Sequence, residues 1–315
     1  MLSRKATRVV CDFTCDSRRW AAYKPREGDV IIATAPKVGT TWMQQIVSLL
    51  IFQSPEPRPL AKLSPWIDCR FRGPVERMLE SIREQTHRRF LKSHLPLDAL
   101  PIYDEVKYIH VAREGRDACM SLLNHYSSFS QEALENFDRI GLSDETINRP
   151  FPRTPTGERE FFLYWIADSQ NESRLQMSDS FFRLERAFWN ERRRPNLLLV
   201  HYNDLKADLS GEMKRVAEFL NITTPDALWP QLVAAASFES MKREGGSLMP
   251  QLDSLLDRGH QNFFYKGTNS RWRSVLTDLD VDLYEQKIKT ELSPALIRWL
   301  TDGRLVAGDP VASPD

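Results

Sequence analysis

From Asp29 to Phe52 the chain runs apolar, polar, apolar. Val30, Ile31 and Ile32 form a β-branched block of the kind a strand buried on both faces requires. Beyond a tight polar turn, Trp42, Ile46, Leu49 and Leu50 recur at helical spacing, and Thr40 and Thr41 are placed to hydrogen-bond the free N–H groups of a first helical turn. The pattern predicts strand, loop, helix. Arg89–His94, Val106–Ala112 and Asn196–His201 are further short apolar blocks, each followed by polar residues, and read as three more strands. The turn Glu114-Gly115-Arg116 leads into a helix that Asp117 is expected to cap. Other helices are expected over Glu158–Leu175, on into Trp189, from Ser210 to Leu220, from Thr224-Pro225 toward Phe238, and from Asp282 to Leu300.

Between these elements, Gln53–Arg77 carries five prolines and reads as a long ordered connection with apolar cargo in Trp66, Ile67 and Phe71. The stretch from His125 to Glu158 reads as a helix followed by a polar loop, and 242–267 breaks the periodicity. Alternating strand and helix patterns predict an α/β fold: a single domain with a mostly parallel central sheet flanked by helices. The expected division is an N-terminal extension over 1–28, the domain over 29–302 and a disordered tail over 303–315. In such sheets ligands lie at the carboxyl ends of the strands. Lys37, Lys92 with His94, Arg113, and Tyr202 each follow an apolar strand, so the fold is expected to gather them at one edge.

Composition narrows the chemistry. At 315 residues, 41% hydrophobic and 27% charged, the chain has ordinary globular usage, and fibrous and disordered classes drop out. Lys plus Arg and Asp plus Glu number 43 each, so there is no overall pull toward nucleic acid or an anionic membrane. The run Glu191-Arg-Arg-Arg194 has no interleaved aromatics and reads as a solvated turn. Cys11, Cys15, Cys69 and Cys119 show neither a C-x-x-C pair nor zinc-finger spacing, and are expected as free thiols. No apolar run reaches a transmembrane length and the first 27 residues lack a signal-peptide core, so a cytoplasmic location is expected.

The first loop ends on a helix N-terminus, whose unpaired N–H groups and dipole make an anion site. It does not match G-x-x-x-x-G-K-[ST], because its only glycine is Gly39 and its lysine, Lys37, comes first. It is P-loop-like in placement and different in sequence.

Four segments then carry a family resemblance: Pro36-Lys-Val-Gly-Thr-Thr-Trp42; Leu91-Lys-Ser-His-Leu-Pro96; Tyr108-Ile-His-Val-Ala-Arg-Glu-Gly-Arg-Asp117 with Ser121; and Tyr265-Lys-Gly267 before Trp272. In content and order they resemble the cytosolic-type sulfotransferases, and the resemblance spans Asp29 to Thr277. It implies transfer of a sulfuryl group from 3'-phosphoadenosine 5'-phosphosulfate (PAPS) to a hydroxyl or amine of a small hydrophobic or aromatic acceptor, leaving 3'-phosphoadenosine 5'-phosphate (PAP). It further implies roles. Lys37 and the loop Val38, Gly39, Thr40, Thr41 and Trp42 would hold the 5'-phosphosulfate. His94 would be the general base, assisted by Lys92. Arg113 and Ser121 would take the 3'-phosphate, with Lys266 and Gly267 behind them, and Trp42, Tyr202 and Phe238 would enclose the adenine. No metal is called for.

The chain departs from the family at several places. Val38 stands where serine is usual, Tyr265 where arginine is usual, and Ala235-Ala236-Ser237 where threonine is usual. For the missing arginine, Arg258, Arg271 and Arg273 are candidate replacements. A short homodimerisation motif is also implied, in which Asp278 and Asp282 replace valine and glutamate. Trp66, Phe71, Tyr126, Phe129 and Phe151 are candidate acceptor-lining residues, and His87, His110, His125, His201 and His260 are read as structural. Two other functions compete. A nucleotide or small-molecule kinase would need a lysine after the glycine and a strand-end aspartate for magnesium. A non-catalytic nucleotide-binding protein would tolerate the Tyr265 departure but has no need of Lys37, Lys92 and His94 together.

Overall fold

The computed structural model describes residues 1–167, 175 and 179–315. Six strands are present among them: β1 (Leu2–Arg4), β2 (Val30–Ala33), β3 (Phe90–Ser93), β4 (Ile102–Tyr103), β5 (Lys107–Ala112) and β6 (Leu197–His201). Four form a parallel sheet in the order β3-β2-β5-β6, while β1 and β4 pair separately and antiparallel. Every residue of β2 is buried, as its β-branched run requires of a central strand covered on both faces. The register sets Ala33 beside Ser93 and Ala112 beside His201, which brings the carboxyl ends of all four strands to one edge.

The opposite end of β2 is closed by a buried ion pair. The Asp29 carboxylate accepts from Arg89 and from the Tyr23 hydroxyl, and both charged side chains are almost fully enclosed. Inside the sheet, His110 is held by the Ala33 carbonyl and by Glu185, and His201 by the Leu300 carbonyl. Both are structural, as expected.

Several expected elements differ, for local reasons. The long terminal helix is two helices, Asp278–Glu291 and Pro294–Asp302, because Ser293 caps the second and Pro294 opens it. The helix expected from Thr224 begins instead at Trp229, with Pro230 in its first turn, and Ser237 caps a new one over Phe238–Arg243. The next helix upstream, Leu209–Phe219, is capped by Asp208, not by Ser210. Helix Glu158–Ile166 is present, and the part of that expectation over 168–174 lies outside the described residues.

Both terminal segments pack against the domain. Within 1–28, Phe13, Cys15, Trp20 and Tyr23 are buried, so this segment is a wall of the domain. Residues 303–315, expected to be disordered, hydrogen-bond to helices elsewhere in the domain: Arg304 and Leu305 donate their N–H groups to Asp204, and Arg304 pairs with Glu212. Arg192 donates to the carbonyls of Pro310 and Ser313. The Glu191–Arg194 run is therefore a turn with a purpose, since Arg192 is buried and anchors the tail through carbonyls that carry no sequence signal.

Candidate active site

The loop after β2 is shaped by two left-handed residues, Lys37 (φ 67°) and Gly39 (φ 118°). Gly39 is required twice over, because a Cβ there would also come within 3.2 Å of the Tyr202 ring. Helix Thr40–Phe52 starts directly after it with no side-chain cap, so its first N–H groups keep their hydrogen-bonding capacity. The threonines do not cap it as expected: the Thr40 hydroxyl is paired with that of Thr34 at 2.6 Å.

Around this helix end lies a cavity of ≈ 180 Å³. Lys37, Gly39, Thr40, Thr41, Trp42, Lys92, His94, Arg113, Ser121, Tyr202, Phe238, Lys266 and Gly267 all line it. Of the residues that the resemblance assigned to catalysis and cofactor binding, Val38 alone does not, since its side chain is fully buried in the core and only its backbone belongs to the loop. The convergence follows from the parallel topology. Lys37 follows β2, Lys92 and His94 close β3, Arg113 follows β5, and Tyr202 follows β6.

Cations dominate the cavity. Burial, together with Lys92 and Arg113, pushes Lys37 down to about 7. Burial and Arg72 push Lys92 down to about 8. The Lys37 ammonium lies 3.7 Å above the Phe263 ring, and that of Lys92 lies 4.2 Å above Trp66. Arg113 packs its guanidinium 4.2 Å over Tyr202, and Nη2 donates to the Thr268 carbonyl and to Asn269 Oδ1. Its buried Nε has no partner among the described residues. The helix after β5 begins at Gly115 and is capped by Glu114, whose carboxylate takes the Asp117 N–H and the Arg116 guanidinium. Glu114 is thereby engaged away from Arg113, and Asp117, freed from capping, accepts from the Ser270 N–H at 2.6 Å.

His94 is fixed from both sides. Its Nδ1 is 2.8 Å from the Thr34 carbonyl, which has no proton to give, so the ring carries N–H there and leaves Nε2 as an acceptor. Burial, Lys92 and Lys37 hold its pKa well below 6.5 and keep the ring neutral. The backbone N–H of His94 donates to Asp68 Oδ2, and the same buried carboxylate accepts from the indoles of Trp66 (2.7 Å) and Trp20 (3.1 Å). Nothing in the sequence pattern singles out Asp68, because, Trp66 apart, its partners lie 48 and 26 residues away.

The 263–271 segment supplies the cavity's other wall. Gly267 has φ 64°, and a Cβ there would strike the Phe238 ring at 2.8 Å, so it fixes that aromatic in place. Tyr265 and Lys266 are exposed at the rim. Of the three arginines considered as replacements at the Tyr265 position, Arg271 lines the cavity, whereas Arg258 and Arg273 do not.

A second cavity of ≈ 460 Å³ adjoins the first and shares Trp66 and His125 with it. Phe71, Phe129, Phe137 and Phe151 form its apolar side. Tyr126, expected on this wall, is instead buried behind it, with its hydroxyl on the Leu175 carbonyl. His125, read as structural, faces both cavities.

Comparison with known proteins points to one family. A family profile described as "Sulfotransferase domain" matches residues 27–294. The chain is 32% identical over 308 residues to a glycolipid sulfotransferase of Mycobacterium tuberculosis, covering 92% of each. It is 25% identical over 302 residues to sulfotransferase 1B1 of Mus musculus, covering 93% of this chain and 92% of that one. In fold it is similar to retinol dehydratase solved with androsterone and PAP, with TM-score 0.66 and 22% identity over 86% of this chain and 82% of that chain. Mouse SULT7A1 complexed with PAP gives TM-score 0.63 and 17% identity over 87% of both chains.

Proposed function

The chain belongs to the sulfotransferase family, and we propose that its first cavity binds PAPS and its second the acceptor, with transfer at their junction. The observation that carries this is the gathering of Lys37, Lys92, Arg113 and an uncapped helix end around one cavity, with a neutral His94 packed against Trp66, a residue that both cavities share. PAPS supplies an activated sulfuryl group on a good leaving phosphate. As the acceptor oxygen bonds to sulfur, the bond from sulfur to the phosphate oxygen breaks, and His94 Nε2 takes the acceptor's proton. Lys37 and the N–H groups of the first helical turn face the charge that builds on the departing phosphate. Arg113 and Ser121 hold the 3'-phosphate, and Trp42, Tyr202 and Phe238 surround the base.

For the acceptor, the phenylalanine-lined cavity supports a molecule with an apolar body, and the glycolipid-acting relative supports one that also carries a sugar. No helix among the described residues is long and apolar enough to cross a membrane, which agrees with a cytoplasmic enzyme.

Titration calorimetry of PAP beside 5'-AMP and ATP, without metal, tests the cofactor assignment. Strong preference for PAP is expected, and Arg113→Ala should weaken PAP roughly tenfold to a hundredfold while changing 5'-AMP much less, the loss of a charge-assisted contact. Equal binding of the three nucleotides would sink the reading.

Proton linkage provides a second check. Lys37 at about 7 and Lys92 at about 8 are depressed in the free protein, and a bound polyanion favours their charged forms. Above these values the free lysines are largely neutral, so binding draws protons in. Near pH 8, PAP binding should show net proton uptake, read from the dependence of binding enthalpy on buffer ionisation. Affinity should then fall as pH rises further, by up to about tenfold per pH unit for each coupled lysine. A buffer-independent enthalpy at that pH contradicts the assignment of both lysines to the anion.

A further inference from the structure

Where the two cavities meet, His125 is a polar group left with its capacity unused. Its imidazole hydrogen-bonds to no described residue, and Nδ1 is enclosed without a partner. The ring packs against Phe129, centroids 4.9 Å apart, and against Phe263 at 6.0 Å. Burial, Lys37, Lys92 and His94 all disfavour its protonation, so the ring is neutral and has a single N–H.

The position of that proton follows from the surroundings. An N–H at enclosed Nδ1 would be a buried donor with nothing to meet, and such a donor is costly. The proton therefore belongs on Nε2, the nitrogen on the open side. His94 has the reverse arrangement, with Nδ1–H given to the Thr34 carbonyl and Nε2 as acceptor. The first cavity, which both histidines line, thus presents an acceptor from one and a donor from the other. A donor aimed at the attacking oxygen would draw off the electron pair that has to reach sulfur. It is useful only to a different oxygen of the same molecule.

We propose that His125 is a specificity-determining residue, its Nε2–H donating to a second hydroxyl of the acceptor adjacent to the one that attacks sulfur. The favoured acceptors are then glycosides and other vicinal diols bearing an apolar substituent, whose apolar part lies against Phe71, Phe129 and Phe151. A simple alcohol leaves the donor unpaired in an enclosed site and is selected against, since a site built to hydrogen-bond a hydroxyl discriminates against the analogue that lacks it. The inference rests on the sulfotransferase reading above.

The test compares kcat/KM for octyl β-D-glucoside and 1-octanol, with PAPS as donor, in the native protein, His125→Phe and His125→Gln. The two acceptors share the octyl chain and differ in the polyol. The native protein should prefer the glucoside by roughly tenfold or more, His125→Phe should bring the ratio to within about twofold of unity, and His125→Gln should restore most of the preference. A merely structural role would lower both rates together and leave the ratio alone. An unchanged ratio in His125→Phe, a native preference for octanol, or no transfer to the glucoside overturns the inference. PAP binding measured on the same samples separates the two readings: binding without diol preference removes only this inference, whereas no binding removes the sulfotransferase reading beneath it.

Discussion

His94→Ala should lower kcat by about 10²–10⁴-fold, the usual contribution of a positioned general base, while PAP affinity stays within a few-fold. The structure explains why the effect should fall on kcat. The Thr34 carbonyl fixes the tautomer, Asp68 fixes the backbone at the same residue, and burial beside Lys92 and Lys37 keeps the ring unprotonated. Because the pKa lies well below 6.5, the base is already in its working form at neutral pH, and no acid limb from His94 should appear near pH 6–7. The measurement is turnover at saturating PAPS with 2-naphthol or octyl β-D-glucoside, whichever the native protein sulfates. Retention of more than about a tenth of native kcat would remove His94 from the role of base.

Lys37→Ala should cost about 10²–10³-fold in kcat, the scale found when a preorganised donor to developing charge is removed. Stability should move the other way or not at all. In the unliganded protein Lys37 is a cation that burial and two like charges disfavour, on a residue held at φ 67°. Its loss relieves repulsion, so the melting temperature of the variant should be no lower than native. A large fall in melting temperature would mean that the lysine holds the loop together and that the rate loss reports misfolding.

The parts of this site that could be read from the sequence are those next to strand ends. Val30–Ile32 and Tyr108–Ala112 are apolar because both faces of the sheet are covered, so the first polar residues after them mark the ligand edge. Lys37, His94 and Arg113 were legible on that ground. Asp68 and His125 were not, because two of the donors to Asp68 are distant in sequence, His125 has no hydrogen-bond partner among the described residues, and a lone aspartate or histidine has no periodic signature. The wall from Phe263 to Arg271 was obscure for a different reason. Its helices are only about one turn long, and order there depends on Gly267 against Phe238 and on Arg113 reaching the Thr268 carbonyl. Carbonyl acceptors also hid the docking of residues 303–315, since any residue can supply one.

The hydrogen bond from Trp20 to Asp68 ties the first 28 residues to the backbone of the histidine that is to take the proton. A protein trimmed to begin at Asp29 would keep nearly every side chain that lines the two cavities, yet would strip a donor from the carboxylate beneath His94. Drift in this amino-terminal wall is therefore answerable to catalysis, although the wall makes no contact with the reacting atoms. Substitutions at Trp20 should be filtered by natural selection much as those at the reaction centre are.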